Sequence, residues 1–96
     1  MAGAYWVAHV TVTNPEEYAR YAELAGPAIA AFGGKFLARG GEVIIKEGQG
    51  HARNVVIWFP SLADANACYD SPAYQEAMAF AKDSSIRELV LIEGVE

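Results

Sequence analysis

Ninety-six residues, 53% hydrophobic and 20% charged, carry a formal net charge of −5. A chain of this length makes one domain, and its apolar fraction is too high for disorder. It also lacks the positive field that draws proteins to phosphate backbones, so no nucleic-acid partner is expected. No apolar run nears the roughly 20 residues that cross a bilayer, and no basic segment leads into an apolar one at the start, so neither a membrane partner nor a secretory signal is expected. The single Cys68 cannot build a disulfide framework, which fits the cytoplasm.

In chain order, Tyr5 to Thr13 is rich in β-branched and aromatic residues and reads as a strand. Asn14-Pro15-Glu16-Glu17 ends it and starts a helix, with Asn14 as N-cap, Pro15 at the first helical position and Glu17 completing a capping-box-like start. Tyr18, Tyr21, Ala22, Ala25, Ile29 and Phe32 follow at close to helical spacing. Pro27 is expected to kink or split this helix, and Gly33-Gly34 to stop it. A second strand is expected from Lys35 to about Glu47, interrupted by Gly40-Gly41, with a turn at Gly48-Gln49-Gly50 and a third strand from Arg53 to Phe59. Ser61 caps the next helix, Asp70-Ser71-Pro72 marks a break and a fresh start, and Leu89 to Ile92 forms a short last strand. The order βαββαβ predicts an α+β sandwich of the ferredoxin-like type, with an antiparallel four-stranded sheet in a single domain over residues 1–96.

Val55 to Phe59 and Leu89 to Ile92 are apolar at both odd and even positions, which predicts a sheet buried on both faces. The helices cover one face only. A second copy laid sheet on sheet across a two-fold axis is the simplest cover, so a homodimer is expected.

Several stretches fall in a recognisable order: Tyr5-Trp6-Val7-Ala8, Asn14-Pro15-Glu16-Glu17-Tyr18 with Tyr21, Gly34 to Gly41, Phe59-Pro60-Ser61, Tyr69 to Tyr74, and Glu93-Gly94. From end to end the chain resembles the domain-of-unknown-function family 1330 (DUF1330), within the dimeric α/β-barrel superfamily. The resemblance implies the ferredoxin-like fold and a dimer whose sheets together form a barrel. It implies no activity. Superfamily relatives include cofactor-free monooxygenases, haem-degrading enzymes and muconolactone isomerase-like proteins, so any one of those chemistries is an analogy of fold alone.

Alternation along the first strand sends Trp6, Ala8, Val10 and Val12 towards the helices. Tyr5, Val7, His9 and Thr11 then face the dimer cleft, with Tyr5 a candidate ligand-binding residue. His9 is a candidate general base or haem ligand or, alternatively, a hydrogen-bonded interface histidine. Arg39 is the polar group best suited to a ligand, because a guanidinium in an apolar cleft recognises a carboxylate or phosphate bidentately. Alternation groups it with Lys35 and Leu37, away from Phe36 and Ala38, and Gly40-Gly41 beside it leave room for close approach; a structural salt bridge is its alternative. Arg53 is expected to pair with Glu42 or Glu47 across the hairpin. Trp58 could line a pocket for a flat substrate, and the hydroxyls of Tyr18, Tyr21, Tyr69 and Tyr74 could reach a cleft, although such aromatics also serve as core. His9, His51 and Cys68 share no metal-ligand spacing, and no glycine pattern suits a nucleotide, so no metal and no cofactor is expected.

Two functions from different classes follow. The first is a homodimeric small-molecule-binding domain, acting as a cofactor-free enzyme of isomerase or monooxygenase type on a small anionic organic ligand. His9 would be its acid/base, Arg39 its anchor, and Tyr5, Trp58, Tyr18 and Tyr69 its binding wall. The second is a dimeric binding or interaction module without turnover, in which His9 and Arg39 are structural.

Overall fold

A computed structural model describes residues 2–96. Its first strand, β1 (Ala4–Val12), is central: it pairs antiparallel with β3 (Arg53–Phe59) on one side and β4 (Ser85–Glu93) on the other. β2 (Lys35–Arg39) lies outside β3, giving the order β2-β3-β1-β4. The alternation expected of β1 is realised, with Ala4, Trp6, Ala8 and Val10 buried beneath the helices. A one-residue slip would invert that whole set, so the buried face fixes the register.

Local chemistry sets the helices. Helix α1 (Pro15–Ala31) starts where the Asn14 side-chain oxygen accepts the Glu17 N–H at 3.3 Å. Ser61 caps α2 (Leu62–Asp70) by accepting the Asp64 N–H at 3.0 Å, and Ser71 caps α3 (Pro72–Ser84) by accepting the Tyr74 N–H at 3.2 Å. The three helices lie on one sheet face. Between them and the sheet, Trp6 packs edge-on to Tyr74 at 4.9 Å and stacks on Phe59 at 5.8 Å, among Ile29, Ile57, Val10 and Cys68.

Three expectations need correction. Helix α1 is not split at Pro27 but runs through it to Ala31. Proline removes the bond to the Glu23 carbonyl, yet Glu23 and Pro27 are both exposed, so water can satisfy that carbonyl while Ala25, Ala28 and Ile29 hold the helix down. The second strand ends at Arg39 rather than near Glu47. Gly40, at φ +68°, turns the chain out of the sheet after one last bond from its N–H to the Asn54 carbonyl, and residues 41–52 carry no strand. The β-branched run there has no neighbour to pair with, and Ile44 is 76% exposed. Finally, β4 begins at Ser85 instead of Leu89, with Arg87, Leu89 and Leu91 directed under the helices.

The second sheet face is open in the single chain. Ile86, Val90 and Ile92 are 61%, 58% and 56% exposed on it. Among the described residues no helix is long and apolar enough to cross a membrane.

The stop of α1 offers a direct check. Gly33 sits at φ +84°, and an added Cβ would also press on the Pro60 ring at 3.0 Å. Gly33→Ala is expected to destabilise the chain by about 1–2 kcal/mol in urea unfolding, the usual cost of a side chain in the left-handed region.

Candidate active site

The register of the sheet brings together cations that lie far apart in sequence. Val10 of β1 faces Arg53 of β3 on one side and Arg87 of β4 on the other. Strand spacing therefore sets the Cα atoms of the two arginines about 10 Å apart, on the face that looks at α1. Arg39 of β2 lies opposite Val55, in the next row of that face. Its position corrects the expectation from alternation. A bulge between Phe36 and Ala38 shifts the register at Leu37, so Arg39 shares the face of Phe36 and its guanidinium stacks 4.2 Å from that ring.

Helix α1 roofs this patch with Tyr18, Tyr21, Ala22, Ala25, Gly26 and Ile29, and the cleft beneath is floored by Trp6, Ala8, Val55 and Ile57. Its interior is about 30 Å³, room for about two waters. Exposed Arg39 stands at its edge, with Nη2 4.0 Å from where a Cβ on Gly26 would lie.

Arg87 is the innermost cation. Its Nη2 donates to the Tyr74 hydroxyl at 3.0 Å and to the Tyr21 hydroxyl at 3.2 Å, and the two hydroxyls bond each other at 3.0 Å. The guanidinium lies 4.7 Å from the Tyr21 ring. Arg53 lies 5.8 Å from the Tyr18 ring, and it passes so close to Gly40 that a Cβ there would collide with Nη1. The Nε atoms of Arg53 and Arg87 are buried without a hydrogen-bond partner. No carboxylate answers either charge: among the described residues the one contact within 4.0 Å between a basic side chain and a carboxylate joins His51 and Glu88, at 3.5 Å. Arg53 therefore does not bridge to Glu42 or Glu47. Those glutamates belong to the exposed segment after β2, whereas Arg53 follows Val55 onto the helix side.

Burial, reinforced by the neighbouring Tyr21, pushes the Tyr74 phenol far above its ordinary range and raises Tyr18 as well. Both remain protonated donors at neutral pH. Burial also pushes the Cys68 thiol up to about 11, which makes it inert packing rather than a nucleophile.

The site residues expected from sequence are distributed over both sheet faces. Arg39 and Tyr18 line the cleft together. Tyr69 packs against Trp6 and Tyr74 at 5.8 and 5.2 Å, behind it. Tyr5 and Trp58 are cross-strand partners on the open face. His9 shares that face: its Nδ1 lies 2.6 Å from the Asn54 side-chain oxygen, and its ring stacks 6.4 Å from His51, which in turn contacts Thr11 at 2.7 Å. Arg87 escaped the sequence reading altogether. The signal that could have found it is its position two and four residues before the inward Leu89 and Leu91.

The model of the Domain of unknown function (DUF1330) matches residues 3–95. The chain belongs to the DUF1330 family. No curated protein matches it. Among solved structures it is similar to a protein of unknown function from Rhodopseudomonas palustris, at TM-score 0.77 and 19% identity over 99% of this chain and 84% of that one. It is also similar to SnoaB, a cofactor-independent oxygenase from Streptomyces nogalater, at TM-score 0.68 and 15% identity over 100% and 96% of the two chains. A dimeric ferredoxin-like protein of unknown function from Thermobifida fusca matches at TM-score 0.58 and 15% identity, over 97% and 92%. At these identities the likeness establishes the ferredoxin-like fold.

The raised phenol and thiol fix the sign of a pH effect. A group held above its unfolded value gives stability that is whole below that value and lost as pH rises towards the folded one. Unfolding free energy measured in urea is therefore expected to stay level through neutral pH and to fall above about pH 9–10, where Cys68 and Tyr74 ionise in the unfolded chain. Tyr74→Phe is expected to lower stability near pH 7 by about 1 kcal/mol and to flatten the alkaline fall.

Proposed function

We propose that this DUF1330 chain is a homodimeric domain that binds a small organic anion in the cleft between α1 and the sheet. One observation carries the reading: two of the three arginines at the cleft have buried, unpartnered Nε atoms, and no carboxylate neutralises any of them. A protein gains nothing in stability from burying unopposed charge, so a ligand that supplies the opposite charge gives the arrangement a use. The interior, with room for about two waters, must widen to take a small organic anion. Arg39, exposed and stacked on Phe36, is the side chain best able to swing aside for entry.

Turnover without a cofactor, of isomerase or monooxygenase type, is the enzymatic form of this reading; the fold-level likeness to SnoaB supports it. His9 lies across the sheet from the cleft and is bonded to Asn54, so in this reading it serves the open face rather than the ligand. That face, with Ile86, Val90 and Ile92 exposed, is where we place the second copy. The chain's one cysteine, a buried thiol, fits the cytoplasm.

Benzoate, pyruvate and neutral benzamide test the charge requirement in thermal-shift and calorimetric titrations. At least one of the carboxylates is expected to bind saturably and benzamide to bind at least tenfold more weakly. Arg39→Gln should weaken carboxylate binding about tenfold with little change in Tm, since Arg39 is exposed. Equal affinity for benzamide, or an Arg39→Gln variant with unchanged binding, contradicts the reading. For assembly, native mass spectrometry is expected to return twice the chain mass, and Ile92→Asp to return a folded monomer.

A further inference from the structure

The donors and acceptors of the cleft can be counted against each other. Nη2 of Arg87 has two hydrogens, and its bonds to the Tyr21 and Tyr74 hydroxyls use both. The bond between those hydroxyls consumes one phenolic proton, whichever tyrosine donates it. The other phenolic proton is left over, as are the Nε–H groups of Arg53 and Arg87. The lining contains no Asp, Glu, Asn, Gln, Ser, Thr or His; its polar side chains are three arginines and two tyrosines, beside the Trp6 indole, itself a donor only. The cleft therefore offers donors in excess and no protein group able to take a proton at neutral pH.

A site so rich in donors, with phenolic oxygens as its side-chain acceptors, selects what enters it. A neutral hydroxyl would bring another proton to a cleft whose side-chain acceptors are weak phenolic oxygens, whereas an oxyanion brings lone pairs and charge to the surplus donors. We propose that the cleft takes a weak organic acid, a phenol or an enol, as its conjugate base, with the oxyanion accepting from Arg87 and from Tyr21, whose hydroxyl is bonded to Tyr74 behind it. The inference rests on the anion-binding reading above and names its ligand class. The acid loses its proton to water, because the lining holds no base, and the O–H bond that breaks leaves its electron pair on the bound oxygen. The apolar roof and floor, Ala22, Ala25, Ile29, Val55 and Ile57, would border the carbon skeleton once the cleft has widened to admit it. Such a site activates its ligand by holding it ionised in a water-poor cleft, where fixed donors act far more strongly than in solution.

4-Nitrophenol reports its own ionisation by colour. With buffer held one pH unit below its solution pKa, adding protein is expected to raise the phenolate absorbance saturably, by the equivalent of at least a tenfold gain in acidity. Arg87→Met should abolish that rise. Arg39→Gln should weaken binding yet leave the same spectral change at saturation, because it removes a charge from the edge and not from the oxyanion's partners. Failure of Arg87→Met to fold would count against a charge kept for binding; Arg53→Gln together with Tyr21→Phe then tests the oxyanion's partners independently and should at least halve the change. Benzoate binding with no phenolate signal overturns this inference and leaves the anion-binding reading standing. Failure of both probes overturns both.

Discussion

The arrangement turns on one unbalanced charge. Arg87 is held under the helices with two phenols for company and no carboxylate in reach, and Arg53 stands across Val10 from it in the same condition. Burying a guanidinium costs several kcal/mol unless an opposite charge compensates it. Phenolic oxygens recover part of this as charge-assisted hydrogen bonds, and the flanking aromatic rings add cation–π attraction. The remainder is a standing deficit that an anion would fill.

The same central strand serves two surfaces. Trp6, Ala8 and Val10 of β1 build the floor of the cleft, while Tyr5, Val7, His9 and Thr11 alternate onto the opposite face. A change of register in β1 would therefore break the cleft and the open face together. The coupling explains why the cleft can be narrow and well defined in so small a domain. Arg53, Arg87 and Arg39 are fixed by strand pairing, and α1 is fixed over them by the capped start at Asn14 and by Ala25, Ala28 and Ile29. Sites carried on regular elements hold their geometry better than sites on loops.

Where structure follows from neighbouring residues, the sequence was legible. Asn14-Pro15, Ser61 and Ser71-Pro72 announce their helix starts by chemistry complete within a turn, and the alternation of β1 is readable because Trp6 and Val10 must be covered. The antiparallel ferredoxin-like sheet followed from that order of elements. What stayed hidden depends on distant contacts. The bulge at Leu37 that turns Arg39 towards the helices has no residue signature, and the strand propensity of Val43, Ile44 and Ile45 says nothing about whether a neighbouring strand exists. Arg53 and Arg87 become neighbours only through their shared pairing to Val10. Arg53 read as a cross-strand partner for a hairpin glutamate, and Arg87 lay outside the apolar run from Leu89 that marked the last strand.

The most direct test replaces Arg87 and measures stability without any ligand. If the charge is kept for binding, Arg87→Met removes the buried cation, leaves Tyr21 and Tyr74 bonded to each other, and should unfold in urea at the same midpoint as the parent or a higher one. If Arg87 instead holds the fold together, the substitution should cost about 3–5 kcal/mol, the usual loss on breaking a buried charged network. That loss would contradict the account.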